Sequence, residues 1–235
     1  MTPLYLLLGV LKLNNMKYIS FLFIAVAIAL LSCTPKLENS TEEQKKQPVA
    51  KKILKEGLSK AYFASGCFWC VEAIYESVIG VEESISGYSG GHTKNPTYES
   101  SNTGQTGHAE AVEILYDADV VSFATLVDVY FGSQNVTQVN GQGNDRGSQY
   151  RSIIFYQNED EKKIIEDKIA ILNEELAPEK VAAEVMKFEK FWVGEDYHQD
   201  YEKLHPNQGY IQAVSVPRLK RFQAKFPDLI KKDAH

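Results

Sequence analysis

From Ser59 onward the apolar residues switch repeatedly between a period of 2 and a period of 3.6. A chain with that pattern must pack strands against helices, as an α/β or α+β domain. Residues 61–64 (Ala-Tyr-Phe-Ala) read as a short buried strand that stops at Gly66. Val71, Ile74, Tyr75 and Val78 then fall at i, i+3, i+4 and i+7, one helical face closed by Gly80. The two signals return as a strand over Ala109–Tyr116 and a helix carrying Phe123, Leu126, Val127 and Tyr130 behind a Ser122 cap. Residues 150–156 read as a strand, and Ile165, Ile169, Leu172 and Leu176 mark a helix with charges on its other faces. Residues 181–192 read as a further strand and 195–204 as a short helix, and Pro217 opens a last helix carrying Leu219 and Phe222.

Two polar stretches, 87–107 and 132–149, interrupt the pattern and read as long loops. Structureless loops longer than about 12–15 residues are uncommon in compact domains and often carry sites. The composition, 44% hydrophobic and 24% charged over 235 residues, is that of a globular chain with a sizeable core. The net charge of −6 argues against a nucleic-acid partner, because phosphate contacts need an excess of Lys and Arg.

The N-terminal region has a different character. Residues 19–31 form an apolar run of 13 after Lys17, short of the roughly 20 that span a bilayer and suited to a signal sequence. The run ends in Leu30-Leu31-Ser32-Cys33, which resembles the lipobox of bacterial lipoproteins, and Met16-Lys17 begins a more typical signal than Met1 does. Residues 34–57 hold no aromatic residue and many charges of both signs, the composition of a flexible tether. The expected organisation is a signal segment over 1–32, a lipidated Cys33 with a tether over 33–57, and a catalytic domain over 58–235. Removing 1–32 takes away Lys12 and Lys17 and no acid, which leaves a charge of −8. The expected location is the bacterial cell envelope, with the domain anchored to a membrane through its lipidated end.

Cys67 stands between a strand end and a helix start, with Cys70 three residues on. Free N–H groups and the partial positive charge of a helix N-terminus favour a thiolate, so a lowered pKa and a nucleophilic sulfur are expected. Period 2 puts Glu110 on the same face as Val112, Ile114 and Tyr116, and a carboxyl on an apolar face has a raised pKa and can act as an acid. Tyr98 and Asp145 lie in the polar stretches and Tyr150 at the start of the strand that follows. The five histidines are scattered, no second C-x-x-C completes a zinc set, and no nucleotide-binding glycine motif occurs.

Gly66-Cys67-Phe68-Trp69-Cys70-Val71-Glu72 resembles the G-C-F-W signature of A-type peptide methionine sulfoxide reductases, which act on the S-epimer. The resemblance continues through Gly87-Tyr88-Ser89-Gly90-Gly91, Asn95-Pro96-Thr97-Tyr98, residues 106–112, residues 142–151 and Glu195-Asp196-Tyr197-His198-Gln199. It implies a ferredoxin-like split βαβ core within an α+β domain with a mixed sheet and flanking helices. It implies Cys67 as nucleophile, Glu110 as the acid for the sulfoxide oxygen, Tyr98 and Tyr150 as hydroxyls on that oxygen, and Asp145 in the same polar pocket. Phe68 and Trp69 would wall the methyl group. Many members have Gly at the place of Cys70 and a resolving cysteine in a C-terminal Gly-Tyr-Cys, which here reads Gly209-Tyr210-Ile211. Members with the G-C-F-W-C variant imply Cys70 as the resolving thiol, with no bound cofactor or metal and an external reductant such as thioredoxin. A thiol–disulfide oxidoreductase would also carry C-x-x-C at a helix start. Glu110, Tyr98 and Tyr150 separate the two readings, because disulfide exchange needs no acid for a sulfoxide oxygen.

Overall fold

The structure, a computed structural model, describes residues 55–234. The signal segment, Cys33 and all but the last residues of the tether lie outside the described residues. The chain runs β1 (Ser59–Ala64), α1 (Phe68–Glu76), β2 (Val81–Ser89), α2 (Tyr98–Asn102), β3 (Ala109–Tyr116) and α3 (Phe123–Gly132). A small hairpin of β4 (Gly141–Gln142) and β5 (Asp145–Arg146) follows, then β6 (Ile153–Tyr156), α4 (Glu159–Leu176), β7 (Glu184–Lys187) and β8 (Trp192–Val193). The chain ends through α5 (Tyr201–Leu204) and α6 (Val216–Lys225).

Six strands form one sheet in the order β7-β6-β1-β3-β2-β8. Only the β6–β7 pair is parallel. β3 lies between β1 and β2, the two strands joined by α1, and β1 lies between β3 and β6, the two joined through α3. These are two interlocked split βαβ units, the ferredoxin-like core in a mixed sheet. Alternation decides the faces. Ala61 and Phe63 of β1 and Val112, Ile114 and Tyr116 of β3 pack with Ile74, Tyr75, Leu126 and Tyr130 of the helices, while Tyr62, Ala64, Ala109 and Ala111 form a smaller cluster behind the sheet. Two buried hydroxyls tie the helix layer down: Tyr75 donates to the Leu126 carbonyl and Tyr130 to the Ala64 carbonyl, each at 3.0 Å. Ser122 caps α3 as expected, accepting from Thr125 N.

The structure corrects the sequence pattern at several points. β2 is absent from the pattern, because serines fill buried positions on both of its faces, Ser84 and Ser86 toward the helices and Ser89 behind the sheet. Ser86 donates to Glu72 at 2.6 Å and Ser89 to the Lys190 carbonyl at 2.9 Å, so hydrogen bonds replace apolar contacts. The expected loop 87–107 therefore loses its first residues to β2 and holds α2, and 132–149 holds the β4–β5 hairpin. Tyr150 closes a 3₁₀ turn (Ser148–Tyr150) rather than opening a strand. The expected strand 181–192 divides into β7 and β8, which pair at opposite edges of the sheet. Between them Phe188 stacks on Tyr62 at 3.7 Å as the chain passes behind the sheet. The expected helix 195–204 divides at Asp200, whose φ is +53°.

Gly66 makes the turn from β1 into α1 at φ +75°, and a Cβ there would sit 2.6 Å from Cβ of Gln142. Gly57 has φ +83° with nothing within 4 Å of such a Cβ. Gly57→Ala should therefore show backbone strain alone, about 1–2 kcal/mol. Gly66→Ala should cost about 1–3 kcal/mol more, from overpacking against a hydrogen-bonded Gln142. Urea denaturation of the two variants measures the difference; equal losses would mean that Gln142 yields.

Candidate active site

Cys67 is the N-cap residue of α1, with φ −58° and ψ 125°. The thiol caps no backbone N–H. The first N–H of the helix, that of Phe68, instead donates to Glu110 Oε2 at 3.0 Å. Glu110 points from β3 into the helix layer, as the alternation predicted, and is 2% exposed. Burial raises its pKa to about 8, with the charges of Asp145 and Cys70 acting in the same direction and the Phe68 N–H opposing. The carboxyl is thus an acid at neutral pH, with its second oxygen left to carry the proton.

Both thiols are buried and reduced. The expectation of a low pKa at Cys67 is overturned: burial pushes this thiol up, and the helix-terminal N–H that would have stabilised a thiolate is committed to Glu110. The lowered thiol is Cys70, brought down to about 7 by a hydrogen bond from Cys67 and the charge of Arg218, against burial. The two sulfurs titrate as a pair.

Tyr98 opens α2, whose Thr97 and Ser100 form a reciprocal cap. Tyr150 closes the 3₁₀ turn beside β5. Burial raises both phenols, so both are neutral donors near pH 7, and each lies close enough to Glu110 and Cys67 to respond to them. Asp145 lies close enough to act on both Glu110 and Tyr150; it also accepts from Tyr210 at 2.7 Å, and the Tyr210 oxygen lies 3.6 Å from Cys70 Sγ. Tyr210 has one proton for these two partners, so it can turn that proton to the sulfur when Cys70 ionises. Phe68 is 1% exposed and packs on His198 with ring centroids 4.7 Å apart, and the half-buried Trp69 stacks on Tyr201 at 3.7 Å. Trp69 is the more open of the two rings.

Four residues at the site were given no role by sequence reasoning. His198 accepts at Nδ1 from Trp69 Nε1 (3.1 Å), which puts its proton on Nε2, 3.7 Å from Glu195. Burial lowers it to about 4, so it is a neutral support for the indole. Glu195 accepts from Tyr98 N and from the Tyr88 hydroxyl, fastening α2 to β2. The Glu195–Gln199 match signalled this segment without giving roles; Tyr210 and Arg218 had no signal beyond their neighbours. Among the described residues no group of three or more His, Cys, Asp or Glu is arranged to hold a metal ion.

Residues 59–230 match the family described as peptide methionine sulfoxide reductase. Peptide methionine sulfoxide reductase MsrA of Pasteurella multocida is 44% identical over 172 residues, 73% of this chain and 98% of that protein. The MsrA of Saccharolobus solfataricus is 44% identical over 171 residues, 73% and 96% of the two chains. The solved methionine sulfoxide reductase A of Corynebacterium diphtheriae superposes with a TM-score of 0.59 at 31% identity, covering 66% of this chain and 78% of that one. With a buried acid, two thiols and two phenols converging at the start of one helix, the chain belongs to the peptide methionine sulfoxide reductase family.

Proposed function

We propose that the domain reduces the S-epimer of methionine sulfoxide, free or in peptides and proteins, with Cys67 as the attacking sulfur and Cys70 as the resolving thiol. The observation that carries the assignment is Glu110, a buried carboxyl still protonated near neutral pH and hydrogen-bonded to the residue after Cys67. A sulfoxide is polar at oxygen and apolar at its methyl group, so its pocket needs donors on one side and rings on the other. Glu110, Tyr98 and Tyr150 supply the donors, and Trp69 over Phe68 supplies the rings. The thiol–disulfide oxidoreductase alternative leaves the buried acid without a task.

The protons balance around the charge on Cys70. As the sulfoxide arrives, Cys67 passes its proton to Cys70 and attacks the sulfur, while Glu110 protonates the oxygen. Methionine leaves and Cys67 becomes a sulfenic acid. Cys70 then attacks Cys67 Sγ, and its proton leaves with the hydroxyl as water. The products are methionine, water, a Cys67–Cys70 disulfide and an ionised Glu110, with the starting charge conserved. Cys67 has non-helical backbone angles, so the helical i, i+3 spacing of about 5–6 Å between Cβ atoms does not hold it away from Cys70. A thioredoxin-like dithiol returns two electrons and two protons, one to Cys67 and one to Glu110. The sequence at Cys33 supports an exported lipoprotein held at a bacterial envelope membrane by more than one acyl chain, since one chain binds only marginally.

Glu110→Gln should lower kcat by roughly 10²–10⁴-fold with the fold intact, the usual contribution of a general acid. In the unsubstituted protein kcat should fall as pH rises through about 8, where Glu110 loses its proton, and the variant should lack that limb. An unchanged rate and profile would assign the acid elsewhere. Cys67→Ser should abolish turnover even with excess dithiothreitol. Cys70→Ser should release one methionine per chain, accumulate a dimedone-reactive Cys67 and fail to cycle with thioredoxin; recycling at the unsubstituted rate would mean that the donor attacks Cys67 directly. Intact mass of the native protein should show residues 1–32 absent and Cys33 acylated, and a free Cys33 thiol would defeat the anchoring.

A further inference from the structure

Arg218 is 8% exposed, and among the described residues it has no carboxylate partner. Its guanidinium donates to three neutral oxygens: Nε to the Ser133 carbonyl (3.0 Å), Nη1 to the Ser65 carbonyl (2.9 Å) and Nη2 to Ser65 Oγ (2.9 Å). These use three of its five N–H groups. Carbonyls and hydroxyls fix the position of a cation without cancelling its charge, and a buried charge without a counter-charge is strongly disfavoured. A positive centre held in this way needs a negative one nearby.

Among the described residues two candidates share its surroundings, Cys70 and Asp145, and Asp145 is turned to the Tyr210 hydroxyl. Arg218 and Cys70 line the same cleft of about 470 Å³, whose wall also carries Asp145 and, toward solvent, Arg221 and Lys225. Tyr75 and Tyr130 lie within reach of its charge, but burial raises both phenols far above neutrality. Cys70 is faced by Cys67 on its own helix, by Tyr210 with Asp145 behind it, and by Glu110 from β3. Glu110 is an acid at neutral pH, and Asp145 opposes a second negative charge beside it. Among the described residues, the buried cation whose charge acts on Cys70 is the one anchored to Ser65, two residues before the nucleophile.

We propose that Arg218 is the built-in counter-charge of Cys70, a positioning residue that keeps the resolving sulfur ionised in the reduced protein. In that state Cys70 accepts the Cys67 proton, and the stabilised thiolate makes the Cys67–Cys70 disulfide easier to reduce. The second consequence rests on the disulfide proposed above; the first is read on the reduced protein and does not. Because Ser65 anchors the guanidinium, the charge stays in register with the turn that presents Cys67.

The test is iodoacetamide alkylation of the reduced full-length protein across pH, read at Cys70 by peptide mass so that Cys33 and Cys67 are counted separately. The Cys70 midpoint should lie clearly below that of an ordinary thiol, rise by at least one pH unit in Arg218→Gln, and stay near its original value in Arg218→Lys. The Cys67–Cys70 equilibrium with a dithiol should shift at least tenfold toward the disulfide in Arg218→Gln, about 30 mV. A merely structural arginine would lower the urea midpoint in both variants and leave the Cys70 titration unmoved, which would overturn the proposal. Should Arg218→Gln fail to fold, an ordinary Cys70 midpoint in the unsubstituted protein, or a raised one in Arg218→Lys, overturns it equally. Absence of a two-hydrogen mass loss after one turnover would refute the disulfide and leave the alkylation result standing.

Discussion

One hydrogen bond, from the Phe68 N–H to Glu110, sets the character of the site. A helix N-terminus offers unpaired donors, and the sequence places a thiol there to receive them. The fold places a carboxyl there as well, reaching across from β3, and the carboxyl takes the donor. The thiol is left buried without that donor, which raises its pKa, and the acid is held beside it. The bond needs β3 and α1 in a fixed relation, which the split βαβ arrangement provides by laying β3 between the two strands that α1 connects.

Burial then sorts the protons. Glu110, Tyr98, Tyr150 and His198 are all neutral near pH 7, because each would carry its charge in a poorly solvated place. A neutral sulfoxide therefore meets neutral donors, which cost little to bury once hydrogen-bonded. The carboxylates of Asp145 and Glu195 stand at the rim, each accepting tyrosine hydroxyl hydrogen bonds, and the sulfur pair lies between the acid and the cleft. Separating the acid from the charge within one helical turn lets proton donation and thiol activation proceed together.

The sequence made some of this legible and concealed the rest for physical reasons. β3, α3 and its Ser122 cap were visible because their periodicity is strong and their buried faces are apolar. The parity of Glu110 followed from the same alternation. β2 was hidden because buried serines, among them Ser86 against Glu72, replace the expected apolar residues. The ionisation of Cys67 was misjudged because the competing acceptor lies 42 residues away in the chain, beyond any local rule. Asp145 came from the resemblance, and its bond to the Tyr210 hydroxyl, 65 residues away in the chain, lies beyond any local pattern.

The residues that complete the site come mostly from the last forty or so of the domain, where the backbone is least regular. Gln199 clamps β2 through both the amide and the carbonyl of Ser86, and Asp200 follows with φ +53° and an N–H donated to Glu72. Each reversal turns the chain back toward α1 instead of letting it leave the sheet edge. A π-helical turn over Ile211–Ser215 then joins directly to α6, so Tyr210 before it and Arg218 just after it both face the surroundings of Cys70. A straight α-helix would rotate them by a different amount, because a π turn inserts one extra residue per hydrogen-bonded ring. The irregular turn is thus a means of aiming two side chains at one sulfur, and its signature is geometric, which is why hydrophobic patterning carries no trace of it.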